Sequence, residues 1–135
     1  MIETLIVDLE ESERSYLLSN GDLFHTQNIE LTQELLTQHS IKQQAAFYNA
    51  QRFALFTTLK YYEGVLKIKA TGSVKKWAWL VDDFGRVVDP TSQEEGTYYG
   101  IPITTADIFA LFDTFHVSRS LFFTHYTESE EKISW

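Results

Sequence analysis

The spacing of apolar residues changes period once, near residue 60, and that change constrains the architecture more than any other feature. Before it, residues 41–59 (IKQQAAFYNAQRFALFTTL) place Ile41, Ala45, Tyr48, Phe53, Phe56 and Leu59 on one broad face at helical spacing. Ser40 fits an N-cap and Gln43 the third position of a capping box, so the pattern predicts a helix over 41–59. After it, Tyr61 to Lys69 enters a strand that alternates apolar and polar from Val65 onward. Thr71-Gly72-Ser73 interrupts the alternation, and Lys75 to Val81 (KKWAWLV) reads as a second strand. Asp82-Asp83-Phe84-Gly85 has turn chemistry, and Arg86 to Asp89 forms a third strand ended by Pro90. The short connection makes the last two strands an antiparallel hairpin.

The flanks are read in the same way. Residues 30–39 look helical through Leu31, Leu35 and Leu36, and residues 97–103 look extended. Thr104 or Thr105 caps a helix to about Phe115, with Ile108, Leu111, Phe112 and Phe115 on its apolar stripe. Ser118 to Tyr126 reads as a last strand. The first 30 residues are the least regular: Ile2, Leu5, Ile6, Val7 and Leu9 make a short apolar run, and Ser19 to Asp22 a turn. Packing on the core and service as an arm are both open for them. Helices segregated from antiparallel strands imply an α+β domain, with the central helix packed on an antiparallel sheet and the core within 41–126. Its 135 residues suit one domain. Two would each need staples that a chain without cysteine lacks.

The absence of cysteine also removes thiolate zinc sites, iron–sulfur clusters and a thiol nucleophile. With 11 basic and 19 acidic residues the net charge is −8, which repels phosphate backbones and disfavours direct nucleic-acid binding. The charge fits plain solubility, a basic protein partner, or an acidic inhibitor or DNA mimic if the carboxylates gather on one face. No basic leader followed by an apolar run and no stretch near the roughly 20 apolar residues of a membrane span is visible, so a cytoplasmic protein without membrane contact is expected. His25, His39, His116 and His125 have no metal-ligand spacing. Asp82-Asp83 and Glu94-Glu95 have the donors for weak divalent-cation binding but read better as solvated turns, and 10–13 and 128–131 as solvated charge runs. The glycines at 64, 72, 85, 96 and 100 form no phosphate-cradling loop. Neither a cofactor nor a metal is expected.

One set of fragments points further. Ala46-Phe47-Tyr48-Asn49-Ala50 on the helix is followed by Tyr62-Glu63-Gly64 entering a strand, then Trp77-Ala78-Trp79-Leu80-Val81. Gly85-Arg86-Val87-Val88-Asp89-Pro90-Thr91 and Tyr98-Tyr99-Gly100-Ile101-Pro102 complete the series. Their order and spacing resemble the bacterial and phage branch of the transglutaminase-like, papain-related fold. In that branch a Cys-aromatic-x-Asn-Ala motif opens the helix, Tyr-x-Glu-Gly and His-Ala-Trp lie on strands, and Asp-Pro-Thr ends the next strand. The resemblance implies a helix N-terminus that favours a thiolate, an imidazole beside it as base and acid, and a carboxylate that orients the imidazole.

Two of those three positions are substituted. The thiol position falls on Ala46 and the imidazole position on Trp77, whose indole N–H donates but cannot accept a proton. Only Asp89 is retained. Loss of nucleophile or base in such a trio costs on the order of a million-fold, so neither protease nor transglutaminase activity is expected. The resemblance thus implies a non-catalytic pseudoenzyme, a protein-binding or accessory module of phage or mobile-element type. Trp77, Trp79, Tyr48, Asn49, Asp89, Tyr98 and Tyr99 are its binding candidates. Asp89, beside Pro90, also suits a plain turn-capping role. Trp77 and Trp79, on either side of Ala78, are assigned to opposite faces of the strand, with Trp77 plugging the former cleft or anchoring a partner. The enzymatic alternative is a relocated site in which Asp89, Tyr48 or a histidine carries a perturbed pKa.

Overall fold

The computed structural model describes residues 2–115 and 120–123, with side chains described through 110 and again over 120–123. The elements are α1 (Ile2–Leu5), α2 (Glu11–Asn20), β1 (Asp22–Phe24), α3 (Ile29–Gln38), α4 (Ala46–Phe56), β2 (Lys60–Ile68), β3 (Val74–Val81), β4 (Val87–Val88), β5 (Gly96–Ile103) and α5 (Thr105–Phe115). The fold is α+β. The five strands form one antiparallel sheet in the order β1-β5-β2-β3-β4.

The segment after β1 closes this sheet on itself. β1 pairs with β5 at one edge, from Asp22 opposite Gly100 to Phe24 opposite Tyr98. Two residues later the chain reaches the other edge: the Val87 N–H donates to the Thr26 carbonyl and the Asn28 N–H to the Val87 carbonyl, both at 2.8 Å. One short run thus touches both ends of the curled sheet, by a parallel bridge between Gln27 and Val87, and gives it a barrel-like closure at that point. The tightest crossing is where Gly64 faces Gly100. A Cβ at Gly64 would lie 2.1 Å from the Tyr99 carbonyl oxygen and 2.5 Å from the Gly100 Cα, so only glycine fits.

Strand alternation sorts the sheet residues into two cores. The outer face carries Tyr61 and Val65 of β2, Ala78 and Leu80 of β3, and Tyr99 and Ile101 of β5. Phe47, Ala50, Phe53 and Ala54 of α4 and Ile108 of α5 cover it. The inner face carries Tyr62, Leu66, Trp79, Val87 and Tyr98, with Phe24 and Trp77 packed against them. The first 30 residues belong to the domain rather than to an arm. Leu5, Ile6, Leu9 and Leu17 are buried in the outer core, and the Tyr99 hydroxyl donates to the Leu17 carbonyl.

Two sequence expectations are corrected. The central helix spans 46–56, not 41–59, and the Ser40–Gln43 capping box does not form. Gln44 adopts φ 58°, which takes the chain out of a right-handed helical path. The Asn49 amide then folds residues 41–45 back: it accepts the Lys42 N–H at 3.0 Å and donates to the Lys42 carbonyl at 2.8 Å. The opposite-face assignment of Trp77 and Trp79 also fails. Side chains two apart along a strand share a face, and both indoles belong to the inner core. Of the expected last strand at 118–126, residue 120 is irregular and residues 121–123 form bends, and the rest lies outside the described residues, as do His116, His125 and the 128–131 charge run. The side chains of Leu111, Phe112 and Phe115 also lie outside them.

Candidate functional site

Asp89 follows β4 directly and is 2% exposed. Its Oδ2 accepts the Trp77 indole N–H at 2.9 Å and the Tyr98 hydroxyl at 2.6 Å. Its Oδ1 accepts the backbone N–H groups of Thr91 and Ser92, each at 3.0 Å. Trp77 reaches it from β3 and Tyr98 from β5, because both occupy inward positions. The turn after Pro90 supplies the two amides. Burial pushes the Asp89 carboxyl up to about 6, although all four donors pull it down. The Tyr98 phenol is raised by its own burial and then by the neighbouring Asp89 charge.

Ala46 opens α4 and is 1% exposed. One turn on, the Asn49 Nδ2 donates to the Thr91 hydroxyl at 2.9 Å, so the start of α4 is clamped to the turn that holds Asp89. A groove of about 260 Å³ opens at this junction, lined by Gln43, Gln44, Lys75, Trp77, Thr91 and Gln93 among others. The Lys75 ammonium lies 5.6 Å from the Trp77 ring centroid, a cation–π contact along its rim. Trp77 and Asp89 are thus in direct contact, and α4 is tied to their turn through Asn49.

The remaining candidates divide. Tyr48 is buried, with Lys42 5.9 Å and Arg52 5.7 Å from its ring centroid. Trp79 is fully buried in the barrel, stacked on Tyr62 and tilted against Tyr98. Its indole N–H has no partner among the described residues. Tyr98 braces Asp89 from the interior, and Tyr99 faces the opposite core. A partner reaches none of these last three from outside.

Sequence reasoning missed Gln43 and Gln44, which the left-handed turn at Gln44 brings to the groove, and Gln93, whose amide donates to the Asp89 and Pro90 carbonyls at 3.3 and 3.4 Å. It also missed Glu63, which is fully buried. Its carboxylate accepts the Tyr61 hydroxyl at 2.6 Å, the Ser120 hydroxyl at 2.5 Å, and the N–H groups of Leu121 and Phe122 at 2.9 Å. Gln51 of α4 donates to the same Tyr61 hydroxyl at 3.0 Å. Burial raises the Glu63 carboxyl against these donors. The available signal was its period: Glu63 shares a face with Tyr61 and Val65, both core positions. Asp82 is likewise no solvated turn residue. It is buried and accepts the N–H groups of Phe84 and Arg86, the Arg86 guanidinium and the Asn28 amide, which fixes the hairpin tip.

Among the described residues no group of three or more His, Cys, Asp or Glu is placed to hold a metal ion. No helix among them is long and apolar enough to cross a membrane. No protein-family model, curated protein or solved structure matches the chain.

Proposed function

We propose that the protein is a non-catalytic relative of the transglutaminase-like fold that binds a protein partner in the groove beside Trp77. The observation that carries this reading is the closed pairing of Trp77 with Asp89. A reacting trio needs a group that takes up a proton and a carboxylate that orients it. Here the indole has no basic nitrogen, and both oxygens of the carboxylate are filled by four donors. Ala46 offers no nucleophile. What is left is a rigid aromatic wall beside side-chain amides, a setting that suits the backbone of an extended peptide.

The test is capture of partners by the full chain at low and high salt, compared with the Gln93→Arg variant. That substitution puts a longer side chain into the groove and replaces one donor to the Asp89 and Pro90 carbonyls by another, without touching the Asp89 carboxylate. Loss of a partner with an unchanged melting temperature supports the reading. A partner retained by Gln93→Arg, or turnover of a peptide or amide substrate by the unaltered chain, refutes it.

A further inference from the structure

A second cavity lies apart from this groove, and its charge is opposite to that of the molecule. Residues 64–81 contain Lys67, Lys69, Lys75 and Lys76 and no acidic residue, so this hairpin carries +4 while the rest of the chain, with 7 basic and 19 acidic residues, carries −12. Lys67 and Lys69 share a strand face, and both line a cavity of about 420 Å³ with His25, Thr97, Leu5 and Glu95. That volume falls within the range of small-molecule sites.

The strand register gathers these groups. Lys67 stands opposite Thr97 across the β2–β5 pairing. The Lys69 N–H donates to the Glu95 carbonyl at 2.9 Å, which carries the ladder one step beyond β2. His25, just past β1, lies with its Nδ1 3.5 Å from the Thr97 hydroxyl. α1 closes the side through Leu5, which is buried. The one acid on the wall, Glu95, pairs with Lys69 at 3.5 Å, and both side chains are 73% exposed. Such an exposed pair is weak and yields readily to a competing anion.

We infer that this cavity binds a small anionic ligand through an oxyanion group, phosphate or carboxylate, held by Lys67 and Lys69 with the Thr97 hydroxyl as a further donor. Lysine is a point-charge binder of such groups. Two ammonium groups in a concave site on an acidic molecule focus the potential there. The apolar side wall at Leu5 suits a ligand with a carbon body rather than a bare ion.

The test is amide chemical-shift titration of the full chain with inorganic phosphate, adenosine monophosphate and citrate as separate probes. Saturable shifts confined to residues around 25, 67–69 and 95–97 are expected with at least one probe. Tighter binding of the nucleotide than of phosphate assigns a phosphate on a larger body, and tighter binding of citrate assigns a carboxylate. Lys67→Gln is expected to weaken binding about tenfold, while Lys60→Gln, the same charge change at the exposed far end of β2, alters it less than about twofold. Unsaturable shifts with all three probes, or equal weakening by both variants, overturn the inference.

Discussion

Replacing Asp89 by asparagine separates the two forces acting on that carboxyl. Burial lifts it from its ordinary 3.8 to about 6. At about 1.4 kcal/mol per pH unit, this corresponds to about 3 kcal/mol. Between roughly pH 4 and 6 the folded state holds a proton that the unfolded state has released, so stability falls as pH rises through that window. The contribution is fully present below pH 4 and lost above pH 6. Asparagine carries no charge, so Asp89→Asn lacks this dependence. It also presents an NH2 to donors that need an acceptor, which costs about 2–4 kcal/mol at low pH. Urea denaturation followed by tryptophan fluorescence from pH 3.5 to 7.5 reads both effects. The stability gap between the two proteins is expected to narrow by about 3 kcal/mol from pH 4 to pH 7. Glu63 is raised as well, but it is present in both proteins and cancels. A gap that widens with pH refutes the reasoning, because the four donors then outweigh burial, and a flat gap refutes it because the two then balance.

Other expectations follow from the same contacts. Trp77→Phe keeps the ring but leaves Asp89 one donor short, so a loss of about 1–2 kcal/mol is expected, rising to about 2–4 for Trp77→Ala, both read by urea denaturation. Glu63→Gln is expected to lower stability by about 3 kcal/mol and to speed hydrogen exchange at the Leu121 and Phe122 amides, which the carboxylate now holds. Gly64→Ala forces a methyl group into the Tyr99 carbonyl, and a loss of more than about 3 kcal/mol, or failure to fold, is expected by thermal melting. Phe84 is 82% exposed at the hairpin tip, so Phe84→Ser is expected to shift stability by less than about 0.5 kcal/mol.

The strands were legible because their signal is local. The β2 strand, the Asp82–Gly85 turn and the Pro90 stop appear as expected, and β3 and β4 pair as the hairpin, although β2 is buried on both faces through Leu66 and alternates only from there. α3 and α5 form where their patterns place them, with Leu35 of α3 and Ile108 of α5 buried. The start of α4 was misread because Ser40 and Gln43 satisfy a local capping rule, whereas the Asn49 amide and the left-handed Gln44 override it through contacts seven residues apart. α2 was hidden because it buries only Leu17 and so shows no apolar stripe. Its entry signal was the acidic run itself, where the Glu13 carboxylate accepts the Glu10 N–H at 3.2 Å. Barrel closure by residues 26–28 could not be read at all, since it joins two sheet edges through Val87, about 60 positions along the chain.

The hydrogen bond between Trp77 and Asp89 was reachable only through the resemblance, which aligned the two positions. On the proposed reading, Ala46 also stands where a thiol would react. The ultraviolet titration of a cysteine thiol introduced there tests this most directly, in Ala46→Cys and in Ala46→Cys combined with Trp77→His. The thiol is expected to ionise at least about one pH unit lower when the imidazole is present, as a thiolate gains from a neighbouring imidazolium. Indistinguishable titration in the two variants contradicts the claim that these positions form the remnant of a catalytic trio.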